Sequence, residues 1–297
     1  MCIAPSYLWI ERGPEWVQQP VKCKTCWQCR ANRVSDYVGR SLCEAAFSDW
    51  TVAVTLTYRP SQAREYDLAH KIITPSHFQE FIRSLRKRGH SIRYLVAGEY
   101  GELRGRAHFH AVLFGKGPRP EFLENRNFHH PAWPHGHMWA DWSANDKALR
   151  YVCKYVLKNE KGSYWFSLSK KPAIGTEFFY QKAAQCSYYG AFPTSFKYLP
   201  PNGDRSREYM LTGAVKRDFV GACLVAFKEI GTVDKSRLNE WVAKAVTKYE
   251  YDEAVKAAQN SSSFAQILSI ARNLRANRPT KDAVRRSLLD IEFNLTD

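Results

Sequence analysis

Eight residues, Gly98 to Gly105, separate two apolar segments of β type, Ile92–Ala97 and Ala107–Phe114. A link this short suits an antiparallel hairpin with a longer loop, and so sets the kind of sheet the chain can build. Upstream, Trp50–Tyr58 is rich in β-branched residues and closes at Arg59-Pro60, the pattern of a strand. Thr74-Pro75 then starts a helix, with Thr as N-cap and Pro at the first helical position. Its apolar residues Phe78, Phe81, Ile82 and Leu85 fall at helical spacing, and Gly89 ends it. A second helix is expected from Ser143-Ala-Asn-Asp146, which has the form of a capping box, to about Lys158. The order strand, helix, strand, strand, helix with hairpin links predicts an α+β fold, a central antiparallel sheet with helices packed on it.

The rest of the chain carries weaker patterns. Residues 1–48 read as an irregular, Cys-bearing segment leading into a short helix, Asn32 to Phe47. Gly115 to about Trp142 is rich in Pro, His and Trp and reads as a loop; from Gly162 to about Tyr209 the chain is aromatic and irregular. From about Arg237 helical patterning dominates. The expected division is a segment 1–48, a domain 49–200 built on the sheet, and a mainly helical region 201–297.

Composition narrows the function classes. No apolar run among the 297 residues approaches the ~20 needed to cross a bilayer. The N-terminal Met1–Ser6 lacks the basic flank and apolar stretch of a signal peptide. Lys and Arg total 44 against 29 Asp and Glu, a net +15. The excess is uneven: residues 232–297 hold 11 basic and 9 acidic residues, so residues 1–231 carry the remaining +13. A basic region that also holds most of the 9 Trp, 16 Tyr and 16 Phe suits a polyanion offering bases to stack on. Eight Cys are too sparse for a disulfide framework and point to a reducing compartment. Three of them form Cys23-x-x-Cys26-x-x-Cys29, a spacing that turns several thiolates toward one ion. With Cys43 or Cys2 as the fourth ligand the run can hold a structural Zn²⁺; the alternative is a set of reduced thiols.

Two further constellations carry chemistry. In Arg106-Ala-His108-Phe-His110-Ala-Val-Leu-Phe114, strand alternation puts His108 and His110 on one face, ~7 Å apart along the strand. Glu99, nine residues before His108, ends the preceding strand, so a hairpin carries it beside the pair. Two His and a carboxylate with open positions accept Mg²⁺, Mn²⁺ or another divalent ion and leave room for a phosphate oxygen. The second such pair, His135-Gly-His137, has a Gly centre and is expected in a loop. In Tyr151-Val-Cys-Lys154-Tyr155-Val-Leu-Lys158, a helix puts Tyr151 and Tyr155 on one face, each with a Lys three residues on. Structural histidines and a helix packing its tyrosines on the sheet are the bland alternatives for these two motifs.

Taken in order, Thr55-Leu-Thr-Tyr58, Gly98-Glu-Tyr-Gly101 with Arg106-Ala-His108-Phe-His110, and the two-tyrosine helix resemble the three motifs of the HUH endonuclease superfamily, the initiators of rolling-circle replication. The paired tyrosines, and the cysteine run followed by Arg30, look like the replication initiators of small single-stranded DNA phages of the Microviridae, of the gokushovirus type. The resemblance runs from about Cys23 to Lys158. It implies a ferredoxin- or RRM-like sheet, His108, His110 and Glu99 as ligands of Mg²⁺ or Mn²⁺, and Tyr151 and Tyr155 as nucleophiles. Lys154 and Lys158 would neutralise or position the phosphate, and Thr55 and Thr57 would belong to a supporting strand. The implied reaction is nicking and rejoining of single-stranded DNA at a replication origin through a 5′-phosphotyrosine. The implied setting is the cytoplasm of a bacterial host, with the host replication machinery as partner and no membrane. The same motifs are compatible with a relaxase or an HUH transposase. A non-enzymatic zinc-containing DNA-binding protein, or a hydrolytic metallonuclease using His and Glu with water, would share part of the pattern.

Overall fold

The computed structural model describes residues 2–12, 15–59, 72–101, 105–143, 146–158, 164–201, 203, 206–230, 235–245, 269–270, 272–273 and 291–294. For residues 10–12, 146, 154–158, 194, 229–230, 235, 242–245 and 291–294 it describes the backbone alone. The described chain is α+β and forms two compact units, Met1–Val38 with Ser48–Ser169, and Gly39–Phe47 with Lys170–Asp297.

The first unit is built on a six-stranded antiparallel sheet. Its strands are β3 (Trp50–Tyr58), β4 (Ser91–Tyr100), β5 (Ala107–Lys116), β6 (Phe128–His130), β7 (Trp133–Asp141) and β8 (Trp165–Leu168). They lie in the order β6-β7-β3-β5-β4-β8. The hairpin expected from the short link forms between β4 and β5, with Glu99 directly opposite His108 and Ala97 opposite His110. Strand β3 lies on the other side of β5, with Thr55 opposite His110 and Thr57 opposite His108. Directly opposed residues of antiparallel strands share a face, so Thr55, Thr57, Ala97, Glu99, His108 and His110 line one side of the sheet.

The other side holds the core. Val52, Val54 and Leu56 of β3 and Phe109, Ala111 and Leu113 of β5 pack there with Phe78, Phe81, Ile82 and Leu85 of helix α2 (Pro75–Lys87). Thr74 precedes this helix and Pro75 opens it as expected, but the Thr74 side chain makes no capping bond; its hydroxyl donates to the Ile72 carbonyl at 3.4 Å. The loss matters little. A cap is worth about 1 kcal/mol, whereas burying each of the four α2 side chains is worth roughly 1.5–3 kcal/mol.

Three stretches expected to be irregular are ordered. Strand β7, with β6, falls in the segment 115–142 expected to be a loop. Pro134 and Gly136 mask its alternation, yet Trp133, Met138 and Ala140 are buried against the core. Gly136 is required there: a Cβ would lie 2.0 Å from the Thr57 carbonyl oxygen and 2.5 Å from the Arg59 nitrogen, both backbone atoms. Gly136→Ala is therefore expected to destabilise the first unit by ~3 kcal/mol, seen as a fall of roughly 5–10 °C in its melting temperature. The N-terminal segment forms an antiparallel hairpin of β1 (Ser6–Arg12) and β2 (Glu15–Val21), followed by helix α1 (Trp27–Ala46), which starts five residues before the expected Asn32.

The third stretch lies mainly in the second unit. There α4 (Thr176–Tyr189) and β9 (Phe192–Tyr198) occupy most of the aromatic segment, and β10 (Tyr209–Met210) and β11 (Ile291–Asn294) flank β9. Helix α4 buries residues on all sides, from Phe178 and Phe179 to Ala183, Ala184, Cys186 and Ser187, which erases a one-sided 3.6-residue pattern. It packs against α5 (Gly213–Ile230), which begins well before Arg237, and α6 (Lys235–Ala245) follows. Much of the expected C-terminal helical region, residues 246–268 and 274–290, lies outside the described residues.

Candidate active site

The three sequence-predicted ligands converge. Glu99 Oε1 lies 2.9 Å from His108 Nε2 and 2.8 Å from His110 Nε2. The strands dictate this: Glu99 and His108 are opposite in register, and His110 is the next residue on the same face. Glu99 is 8% exposed, so its carboxylate has left water and requires compensation.

The hydrogen bonds on the far side of the rings decide what the near side offers. His108 Nδ1–H donates to the Arg106 carbonyl at 3.0 Å, since a carbonyl only accepts. In a neutral ring that leaves the lone pair on Nε2, facing the Glu99 oxygen. Thr55 Oγ1 lies 3.1 Å from His110 Nδ1 and holds the second ring in the same way, accepting its proton. Lone pairs pointed at one anionic oxygen repel unless positive charge lies among them. Charging both rings would set two imidazolium groups side by side, with centroids 4.8 Å apart. A single divalent cation satisfies all three donors. The 2.8–2.9 Å separations match the edge of an octahedron whose metal–ligand bonds are about 2.1 Å, the geometry Mg²⁺ demands. The donor set therefore fits such an ion.

Helix α3 (Asp146–Lys158) lies across β4 and β5. It places the Tyr151 ring edge-on to His110, with centroids 5.1 Å apart, and leaves Tyr151 41% exposed. Tyr151 is thus beside the candidate metal ligands and open to a ligand arriving from solvent. The helix continues through position 155, but the side chains of Lys154, Tyr155 and Lys158 lie outside the described residues. Cys153 is fully buried, on the side of the helix away from solvent. Thr57 sits opposite His108, in the supporting position the resemblance implies.

One histidine pair departs from the expectation. His135-Gly136-His137 lies in strand β7, not in a loop, and β7 pairs with β3 so that His137 is opposite Thr57. His137 therefore shares the face of His108, with the His129 ring 4.3 Å away. Register alone reveals this, and the Gly136 centre conceals the strand.

The cysteines form a second group. Cys2, Cys23, Cys26 and Cys29 bring their sulfurs within 4.8 Å of one another. Individual separations are 3.5 Å for Cys2–Cys23 and 3.9 Å for Cys2–Cys26 and Cys23–Cys29. A tetrahedral Zn²⁺ with Zn–S bonds near 2.3 Å has S···S edges of about 3.8 Å. Backbone N–H groups point at the sulfurs: Cys26 N–H donates to Cys23 Sγ at 3.3 Å and Cys29 N–H to Cys26 Sγ at 3.4 Å. The Cys26 N–H pulls the Cys23 thiol down to about 5, so it is a thiolate at neutral pH, while burial pushes Cys29 up to about 11.

The fourth member corrects the expectation for Cys43. Cys43 is buried in helix α1, fourteen residues beyond Cys29, and at 1.5 Å per residue that is about 21 Å along the helix. Cys2 takes the place instead, because the β1–β2 hairpin pairs Ser6 with Val21 and so brings the chain before β1 alongside the chain after β2.

With this geometry in place, comparison with known proteins is informative. Residues 51–160 match the family of the replication-associated protein ORF2. The match contains every residue of the His–Glu cluster and the whole two-tyrosine helix, and it does not extend to the cysteine run. The chain is also similar to replication-associated protein ORF4 of Chlamydia phage 1, 28% identical over 159 residues, covering 47% of this chain and 38% of that protein. Replication-associated protein ORF2 of Spiroplasma virus 4 is 35% identical over 106 residues, 33% of this chain and 32% of the relative. Replication-associated protein VP4 of Bdellovibrio phage phiMH2K is 26% identical over 179 residues, 52% and 55% of the two chains. The chain thus spans from about a third to about half the length of these relatives. No solved structure matches it.

Proposed function

We propose that this protein is a replication initiator that nicks and rejoins single-stranded DNA at an origin through a covalent tyrosyl intermediate. The observation that carries the reading is the juxtaposition of a Glu99–His108–His110 donor set with an exposed tyrosine, Tyr151, against His110. A region matched to replication-associated proteins, in a chain of net charge +15, supplies the context.

In the reaction, a tyrosine Oη attacks the phosphorus of a phosphodiester, the P–O3′ bond breaks, and the 3′-oxygen leaves and takes up a proton. The product is a 5′-phosphotyrosine that keeps the ester bond for rejoining by the reverse displacement. A phenol with its ordinary pKa near 10 is only ~10⁻³ ionised at neutral pH, so the site must stabilise developing negative charge. Mg²⁺ or Mn²⁺, held by Glu99, His108 and His110, would supply Lewis-acid stabilisation of the phosphate oxygens. Arg106 and Thr55 orient the two imidazoles through their Nδ1 atoms. Lys154 and Lys158 are assigned to the phosphate and to favouring phenolate. A partly buried site of this kind accepts unpaired nucleotides, so duplex DNA would have to open first.

The deciding experiment is a denaturing gel of the protein incubated with end-labelled single-stranded DNA, with and without Mg²⁺ or Mn²⁺. A metal-dependent band of protein joined to DNA supports the reading. Cleavage without an adduct assigns the site to hydrolysis by water, and binding without cleavage makes the protein a DNA-binding module.

We further assign Cys2, Cys23, Cys26 and Cys29 to a structural Zn²⁺ that closes the N-terminal hairpin onto helix α1. Metal analysis of freshly reduced protein is expected to find about one zinc per chain. Cys2→Ser and Cys23→Ser should lose it, and Cys43→Ser should retain it. Retention by Cys2→Ser would overturn the assignment.

A further inference from the structure

A cleft of about 450 Å³ opens between the N-terminal turns of helix α1 and strand β8, and none of the residues lining it is acidic. That volume lies in the range of roughly 300–1,000 Å³ typical of ligand clefts. Lys24, Arg30 and Arg33 line it on one side and Tyr37, Tyr164 and Phe166 on the other. Arg30, Arg33 and Tyr37 stand at i, i+3 and i+7 of α1, one face of the helix. Tyr37 stacks on Phe166, centroids 5.2 Å apart and planes 14° from parallel, making a flat aromatic wall. Lys24 is exposed, and both arginines and all three rings are half-buried, so cations and ring faces are presented in one concavity.

Its place in the sheet gives it a purpose. Phe166 is opposite Ala97, and Ala97 is opposite His110, so Phe166 shares the face of the His–Glu cluster two strands away. At the usual strand spacing that is about 10 Å, a distance a single nucleic-acid strand covers in a few nucleotides.

We propose that this cleft binds single-stranded DNA beside the cleaved phosphate. Arg30, Arg33 and Lys24 take backbone phosphates, and an unpaired base stacks on the wall formed by Tyr164, Tyr37 and Phe166. The chemistry favours a single strand because ring faces inside a concavity stack only on bases that have left the helical stack, whereas cations alone would serve a duplex equally. Stacking and phosphate contacts are indifferent to base identity, so the contact tolerates any sequence. The cleft adds grip, and the specific origin must be read elsewhere. This inference rests on the nicking reading of the adjacent site, which supplies the strand to be held.

The test is fluorescence anisotropy with a fluorescein-labelled oligothymidine about twelve nucleotides long, a length within the site sizes of single-strand binders. It is run without added Mg²⁺ or Mn²⁺, from about 50 to 200 mM salt. Each phosphate contact contributes about 0.7 to the slope of log affinity against log salt, so Arg30→Gln with Arg33→Gln should lower the slope by about 1.4. Arg30→Lys with Arg33→Lys should restore most of it, which a merely structural role for the guanidinium groups would not. Tyr164→Ala should weaken binding roughly tenfold and leave the slope unchanged, the signature of a lost stacking contact. A glutamine variant with wild-type affinity and slope overturns the proposal, as does a lysine variant no better than glutamine. Failure of the two readings is distinguishable. A wild-type protein that binds the oligonucleotide but forms no adduct overturns nicking, while the slope change still supports the cleft. An adduct formed by a glutamine variant that binds like wild type overturns the cleft alone.

Discussion

His108→Ala and His110→Ala are each expected to lower metal-dependent adduct formation by at least about a thousandfold. Lewis-acid stabilisation is worth several kcal/mol, and each 1.36 kcal/mol is a factor of ten in rate. The effect is large because the site has little redundancy: its donors are three atoms, and one carboxylate oxygen faces both rings. The variants should stay folded, since the core lies on the opposite face of the sheet and both side chains keep 14–16% exposure. Glu99→Gln is the sharper probe. It keeps size and hydrogen bonding but removes the charge, so the metal concentration needed should rise while the melting temperature hardly changes. Thr55→Val removes the hydroxyl at His110 Nδ1 and should cost about 10–100-fold in metal affinity, the usual penalty for losing an outer partner of a ligating histidine. A double histidine variant that still forms adduct in Mg²⁺ or Mn²⁺ would remove the site from the mechanism.

The second expected result concerns the tyrosines. Tyr151→Phe and Tyr155→Phe should each still form some adduct, and the double variant none. The positions lie one turn apart on α3, ~6 Å along the helix axis, so both hydroxyls cannot stand in line with one phosphate together. One attacks while the other waits or is already joined to DNA. Each single variant should therefore be deficient in the complete cycle of cutting and rejoining, which needs a second nucleophile while the first is occupied. Gel analysis of the adduct, with ligated circles as the second readout, separates these steps. If one single variant loses all adduct and the other completes the cycle, only one tyrosine is a nucleophile.

The parts of this protein that are legible in the sequence are those governed by short-range periodicity. Strand β3 has the expected limits, Trp50 to Tyr58, because β-branched alternation and a following Arg-Pro leave few other conformations. Helix α2 buries the four residues its spacing indicates. The placement of Glu99 beside His108 follows from one hairpin link, since register in a hairpin is set by the chain itself. The misses have a common cause. Strand β7 carries Pro134 and Gly136, which argue locally for a loop; what makes it a strand is a partner, β3, more than seventy residues away, whose backbone tolerates only a glycine at that point. Helix α4 is buried all round by elements distant in sequence, so it has no polar face to betray its period.

The cysteines and the cleft show the same division. The local run Cys23-x-x-Cys26-x-x-Cys29 marks three thiols, but the choice of Cys2 over Cys43 requires the β1–β2 hairpin to be folded. Likewise, Arg30, Arg33 and Tyr37 on one helix face are ordinary by themselves. They become a cleft only when Tyr164 and Phe166 arrive on the edge strand. Sequence by itself determined the local elements and the residue types able to hold a metal or attack a phosphate, because dihedral preference and side-chain spacing act over a few residues. Tertiary structure decided which of those residues meet, because strand pairing and burial join segments that have no knowledge of each other along the chain.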